Sequence, residues 1–118
     1  MKTLCIQLRS GTMMNMDSNV ASKLAKAATD KGYTVKVFGY GEGVFLVKAG
    51  QEPKRFPNVG KETKVLVEAG GEVVVCETCS VARGMYRGEE IQGTKIGSIT
   101  NDMSRFVAQS DRLVTIGR

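Results

Sequence analysis

The chain of 118 residues contains no histidine and no tryptophan, and only two prolines and three cysteines. Without imidazole there is no Ser/His/Asp triad, no Cys/His dyad and no histidine zinc site. Chemistry near neutral pH must then rest on a thiol, a carboxylate, Lys, Arg or the backbone. The nucleophile best suited to that range is a cysteine with a lowered pKa. Three cysteines, two of them in a Cys-x-x-Cys pair, do not make a disulfide framework, so a reducing, cytoplasmic setting is expected. Long apolar runs are absent too. The opening Leu4-Cys5-Ile6-Gln7-Leu8 gives way to Ser10-Gly11-Thr12, too short for a signal-peptide core or a membrane span.

The composition is that of an ordinary soluble domain: 42% hydrophobic and 25% charged. The length fits one domain over residues 1–118, able to bury a single core. Lys and Arg exceed Asp and Glu by 17 to 12, a net charge of +5. The lysines are scattered and not interleaved with aromatics, which suits solvated helix faces better than a nucleic-acid surface.

Strand and helix signals alternate. Residues 2–9 read as a strand, with Cys5 as core. A cap at Asp17, Ser18 or Asn19 opens a helix carrying Val20, Leu24, Ala27 and Ala28 and ending at Lys31-Gly32. Tyr33 to Phe38 is a second strand, followed by Gly39-Tyr40-Gly41-Glu42-Gly43. Val44–Lys48 fits a short helix or a strand. A helix from Val59 to Ala69 buries Thr63, Leu66 and Ala69 and stops at Gly70-Gly71. Val73-Val74-Val75 has the continuous apolar character of a buried parallel strand. Ser80 to Met85 gives one or two helical turns. Ile96 and Ile99 mark a strand end, and Thr100 or Asn101 caps a helix with Met103, Phe106 and Val107. Leu113–Ile116 is the last strand. This alternation predicts an α/β domain with a mostly parallel sheet and helices on both faces.

In such sheets ligands bind off the carboxyl ends of the strands. Three loops lie there: Ser10–Asn15, Gly39–Gly43 and Cys76–Arg83. The third holds the reactive group. Cys76 follows the valine strand and precedes a helix, where unpaired N–H groups favour thiolate. Arg83 or Arg87 adds positive charge if it folds back, and Glu77 opposes it if it faces the sulfur. The plain alternative is a small buried side chain at a strand end. The Cys76-x-x-Cys79 spacing also fits disulfide exchange, although no Trp or Pro flanks it. Zinc needs about four ligands, which this chain lacks outside a subunit interface. Gly41-Glu42-Gly43 could hold an anion on its N–H groups, but a turn is the simpler reading. Met13, Met14 and Met16 suit packing filler, a subunit contact, or a soft approach to a sulfur site.

Taken in order, Gly32–Phe38 with Gly41-Glu42-Gly43-Val44, Gly71–Cys79, Ala82-Arg83-Gly84, Gly93–Ile99 and Ser110–Val114 resemble the DsrE/DsrF-like family of small sulfur-relay proteins. The resemblance implies an α/β/α sandwich with about five strands. It also implies assembly into trimers or hexamers, or with paralogues. Family members that act as carriers hold sulfur as a cysteine persulfide and pass it between donor and acceptor proteins, without a cofactor, metal or membrane. By that likeness Cys76 is the sulfur acceptor, ahead of the Arg83-Gly84 pair, and Arg83 stabilises the anion. Gly11, Gly41 and Gly43 belong to the pocket loops. Cys79 has no fixed counterpart and reads as a resolving thiol, an alternative carrier or a bystander. The expected function is a sulfurtransferase-like carrier. The alternatives are a non-catalytic subunit of a sulfur-relay or redox assembly and a Cys-x-x-Cys thiol oxidoreductase.

Overall fold

A computed structural model of the chain describes residues 2–13 and 15–117. The strands are β1 (Thr3–Leu8), β2 (Thr34–Gly39), β3 (Glu72–Cys76), β4 (Lys95–Gly97) and β5 (Arg112–Ile116). They form one all-parallel sheet in the order β4-β3-β2-β1-β5. Parallel neighbours need crossovers, and helices supply them: α1 (Asp17–Asp30), α2 (Val59–Glu68), α3 (Glu77–Ala82) and α4 (Ser104–Gln109). Val37 faces Ala21 and Ala25 of α1 and Thr63 and Leu66 of α2. The next residue, Phe38, stands edge-on to Phe106 of α4, with ring centroids 6.5 Å apart. Successive strand residues point to opposite faces, so helices cover both sides of the sheet.

Inner strands covered on both faces should lose their alternation. Val73, Val74 and Val75 are all at most 1% exposed, and so are Cys5 and Ile6 of β1. The ambiguous stretch around Val44 is a 3-10 segment over Gly41–Val47, which buries Val44, Leu46 and Val47. Of the two expected forms, the short helix is the one found, as a 3-10 turn. The segment is wedged against β1, and Gly43 makes this possible. A Cβ at residue 43 would lie 2.8 Å from the Leu8 carbonyl carbon and closer still to its oxygen.

Expectations for all four helices need correction. In α1 the buried stripe is Ala21, Ala25 and Ala28, while Val20 is 52% exposed and Ala27 faces solvent. Small side chains on the sheet side let the helix settle close to the strands, which outweighs burying one valine. No side chain of Asp17, Ser18 or Asn19 caps this helix. Asn15 Oδ1 accepts from the Asp17 N–H at 2.9 Å, and Asp17 accepts from the Ser10 hydroxyl at 2.7 Å.

At the chain's end, Ile99–Met103 form a π-type turn before α4. The cap there is Ser98, whose hydroxyl accepts from the Asn101 N–H at 3.0 Å; Thr100 and Asn101 do not cap. Met103 and Phe106 are buried, but Val107 is 45% exposed. In α2, Thr63 and Leu66 are buried as expected, while Ala69 is the exposed C-cap. The buried Thr63 hydroxyl donates within reach of the carbonyls of both Val59 and Leu46, at 2.9 and 3.0 Å. It ties α2 to the 3-10 segment. α3 starts three residues earlier than the expected Ser80, directly after Cys76.

Candidate functional site

Because β1, β2 and β3 are neighbours in the sheet, the loops leaving their carboxyl ends are neighbours too. These are the three segments singled out from the sequence as loops, but the second runs into the 3-10 segment at Gly41 and the third is α3, which follows β3 without a loop. Gly11 backs onto Glu42; a Cβ at residue 11 would rest 3.5 Å from that of Glu42. Arg83 reaches from the end of α3 to pair with the Glu42 carboxylate and also donates to the Cys79 carbonyl at 3.0 Å. Gly41 takes a left-handed conformation, with φ +61°, which turns the chain sharply at the end of β2. Gly43 serves packing: its N–H bonds the Tyr40 carbonyl at 3.0 Å and it is buried.

The cysteine pair spans the junction of β3 and α3. Cys76 is the N-cap residue of α3, with extended backbone, and Cys79 is three residues along the first turn. The junction is fixed from beneath by Ser80, which is fully buried and donates to the Cys76 carbonyl at 2.8 Å. Cys76 is 6% exposed, and Cys79 is half-buried. Burial raises the Cys79 pKa, and the adjoining Cys76 sulfur favours its protonated form further. The Gly41 N–H and the Arg83 charge pull the other way without reversing the shift. Cys79 therefore keeps its proton at neutral pH.

The remaining charges fall differently from expectation. Glu77 is turned aside by Arg87, paired at 2.5 Å on the exposed surface. Arg87 thus serves Glu77 and not a sulfur. Arg83 stands beside Cys79, its guanidinium shared between that residue's carbonyl and Glu42. Glu42, as the anchor of Arg83, was not singled out from the sequence. Its position in the glycine loop at a strand's carboxyl end was the available signal. Met13 and Met16 are 44% and 55% exposed, while Met14 lies outside the described residues. Cys5 is core, 0% exposed, and burial pushes its thiol up to about 11 against a smaller opposing effect of Lys36 and Ser110. Elsewhere a depression of about 410 Å³ lies between α1 and α2, lined by Lys23, Lys61 and Val65 among others. It contains no thiol.

The family model of the DsrE/DsrF-like family matches residues 2–116. The chain belongs to the DsrE/DsrF-like family. Two archaeal relatives are each 35% identical to it. One is the uncharacterized protein MK0008 of Methanopyrus kandleri, aligned over 80% of this chain and 77% of that protein. The other is the uncharacterized protein MJ0989 of Methanocaldococcus jannaschii, aligned over 80% and 82%. The fold is similar to that of the ychN protein of E. coli, with a TM-score of 0.90 at 20% identity over 98% of this chain and 99% of that one. It is also similar to MTH1491 of Methanobacterium thermoautotrophicum, a protein of unknown function, with a TM-score of 0.79 at 12% identity over 98% and 99%. Membership in the DsrE/DsrF-like family points to a role related to sulfur relay. Among the described residues, no helix is long and apolar enough to cross a membrane.

Proposed function

We propose that this protein is an intracellular sulfur carrier that accepts sulfane sulfur as a persulfide on Cys76 and hands it to a partner protein. The observation that carries the reading is the asymmetric cysteine pair at the β3–α3 junction. Cys79 keeps its proton beside the Cys76 sulfur. Cys76 is the N-cap residue, where the helix N–H groups are unpaired. Loading is thiol exchange with sulfur as cargo. The Cys76 sulfur attacks the outer sulfur of a donor persulfide, that S–S bond breaks, and the donor leaves as its thiolate. Unloading is the same step with an acceptor thiolate attacking the outer sulfur on Cys76.

Several features support a protein as donor or acceptor. Cys76 is only 6% exposed, which favours a donor sulfur presented on a slim, extended side chain over a bulky small molecule. Val81 on α3 and Tyr86 shortly after it are exposed, as are Met13 and Met16 after β1, and exposed apolar side chains near the strand ends suit a partner's apolar surface. Arg83, held by Glu42, stands beside Cys79, one helical turn from the residue that would carry the persulfide. Self-assembly into a trimer or hexamer belongs to the same proposal, through the family likeness.

The test is intact mass after incubation of reduced protein with polysulfide or a persulfide-generating desulfurase. Cys79→Ser should gain one sulfur atom of mass, lost again on adding a dithiol. Cys76→Ser should gain none. Uptake that survives Cys76→Ser, or no uptake by Cys79→Ser with any donor, rejects Cys76 as the acceptor.

A further inference from the structure

We infer that Cys79 converts the carrier into a sulfane-sulfur reductase: it discharges the Cys76 persulfide as sulfide and closes a Cys76–Cys79 disulfide. The inference rests on Cys76 as the loaded residue and adds a second activity of the same site.

A persulfide has two sulfurs, and the one attacked decides the outcome. Attack on the outer sulfur only moves the cargo from one cysteine to the other. Attack on the inner sulfur breaks the S–S bond of the persulfide, forms the protein disulfide and expels hydrosulfide. The inner sulfur is Cys76 Sγ itself. Cys79 adjoins that atom, while the outer sulfur would extend beyond it. The backbone allows closure. Residues three apart on a helical turn have Cα atoms about 5 Å apart, inside the about 4.4–6.8 Å that a disulfide spans. Cys76 and Cys79 have this spacing at the start of α3, over a junction that Ser80 fixes.

The step balances without an outside oxidant. Cys76–S–SH and Cys79–SH become Cys76–S–S–Cys79 and H₂S. The sulfane sulfur gains two electrons and the two cysteine sulfurs lose them. The Cys79 proton leaves before attack and ends on the departing sulfide. A dithiol reductant reopens the disulfide and returns the site to the carrier form.

The surroundings of Cys79 set when this happens. The groups facing it are the Cys76 sulfur, the Gly41 N–H and the Arg83 guanidinium, itself paired with Glu42. Because Cys79 keeps its proton at neutral pH, a loaded carrier has time to meet its acceptor. Raising the pH frees the Cys79 thiolate and hastens discharge.

The experiment loads reduced protein with polysulfide, removes excess donor, and follows intact mass and released sulfide. Wild type should pass from the persulfide to a species two hydrogens lighter than the reduced protein, with one sulfide released per chain. The release rate should rise up to about tenfold per pH unit below the Cys79 pKa. Cys79→Ser should still load, keep its sulfur at least about tenfold longer and release no sulfide without added thiol. If wild type and Cys79→Ser both load and hold their sulfur equally long, the reductase inference is overturned and the carrier stands. If Cys79→Ser does not load, the carrier reading fails first. A sulfide release rate that does not change with pH would also count against Cys79 as the attacking thiol.

Discussion

Three cysteines of one chemical type are made unlike by their surroundings. Cys5 is sealed in β1 with its thiol pushed up to about 11 from an ordinary value of 9.0. That shift leaves it about a hundredfold less thiolate than an ordinary cysteine near pH 8, and burial removes access as well. Iodoacetamide on the folded protein should label Cys79 and Cys76 and leave Cys5 unmodified, with Cys5 labelled only after urea. Peptide mapping checks this, and labelling of Cys5 at a rate near that of Cys79 would show β1 to be far more open than described. Glycine identity matters as sharply at residue 43, where backbone meets backbone and nothing can yield. Gly43→Ala should lose about 2–3 kcal/mol of stability. Gly41→Ala would make only an ordinary contact, 3.7 Å from the Arg9 carbonyl oxygen, but takes a left-handed φ, and should lose about 1–2 kcal/mol. Urea denaturation of the two variants gives the order, and an equal or inverted order would refute the close approach.

The elements were legible in the sequence where one local signal dominated. The valine run of β3, the alternation of β2 and the glycine stop after α2 all produced their elements within a residue or two. Boundaries failed where tertiary packing chose the face or the turn. Val20 is outward because alanines pack closer to the sheet, and Ser98 caps through a π-type turn that no residue spacing announces. The site was legible as three segments because parallel topology gathers carboxyl ends. The Arg83–Glu42 pair was not, since it joins positions 41 residues apart whose meeting depends on strand order. Asn58 was not singled out either, although its partners are local. Its Oδ1 accepts from the Lys61 N–H at 3.0 Å, capping α2, while its Nδ2 donates to the Gln51 carbonyl at 3.0 Å and anchors the preceding loop. Asn58→Ala should cost about 1–2 kcal/mol. Asn58→Asp keeps the cap but cannot donate to Gln51, and should recover part of that loss. Equal stability of all three proteins by urea unfolding would remove Asn58 as the anchor.

Across the whole molecule, the sheet face covered by α4 is held by charge as well as by apolar contact. Glu72 on β3 pairs with Lys36 of β2 at 2.8 Å and with Arg105 of α4 at 2.6 Å. Asp102 joins Arg105 at 3.5 Å and Lys95 of β4 at 3.1 Å. Lys36 and Arg105 also lie 5.3 and 4.9 Å from the Phe106 ring centroid, so the same cations clamp the aromatic anchor of α4. The hydrogen bonds from Arg105, with a further contribution from Lys36, hold the Glu72 carboxyl at about 2, below its ordinary value of 4.5, against the opposing effect of burial. Burial pushes Asp102 up, but the Ser98 N–H and Lys95 more than offset it, so its pKa is lowered too. A carboxyl with a lower pKa in the folded state than in the unfolded chain adds stability above the unfolded value. That stability is lost as the pH falls through the folded one. For Glu72 the loss therefore runs from about 4.5 down to about 2. The Glu72 side chain is 41% exposed, so solvent screening limits its share to at most about 1 kcal/mol. Wild type should exceed Glu72→Gln in urea-unfolding free energy by up to that amount at about pH 6, and the gap should close as the pH approaches 2. Added salt at about pH 6 should narrow it as well, since Glu72 and Arg105 both reach solvent. A gap that stays constant through the acid range would show that Glu72 acts through packing and not through its charge.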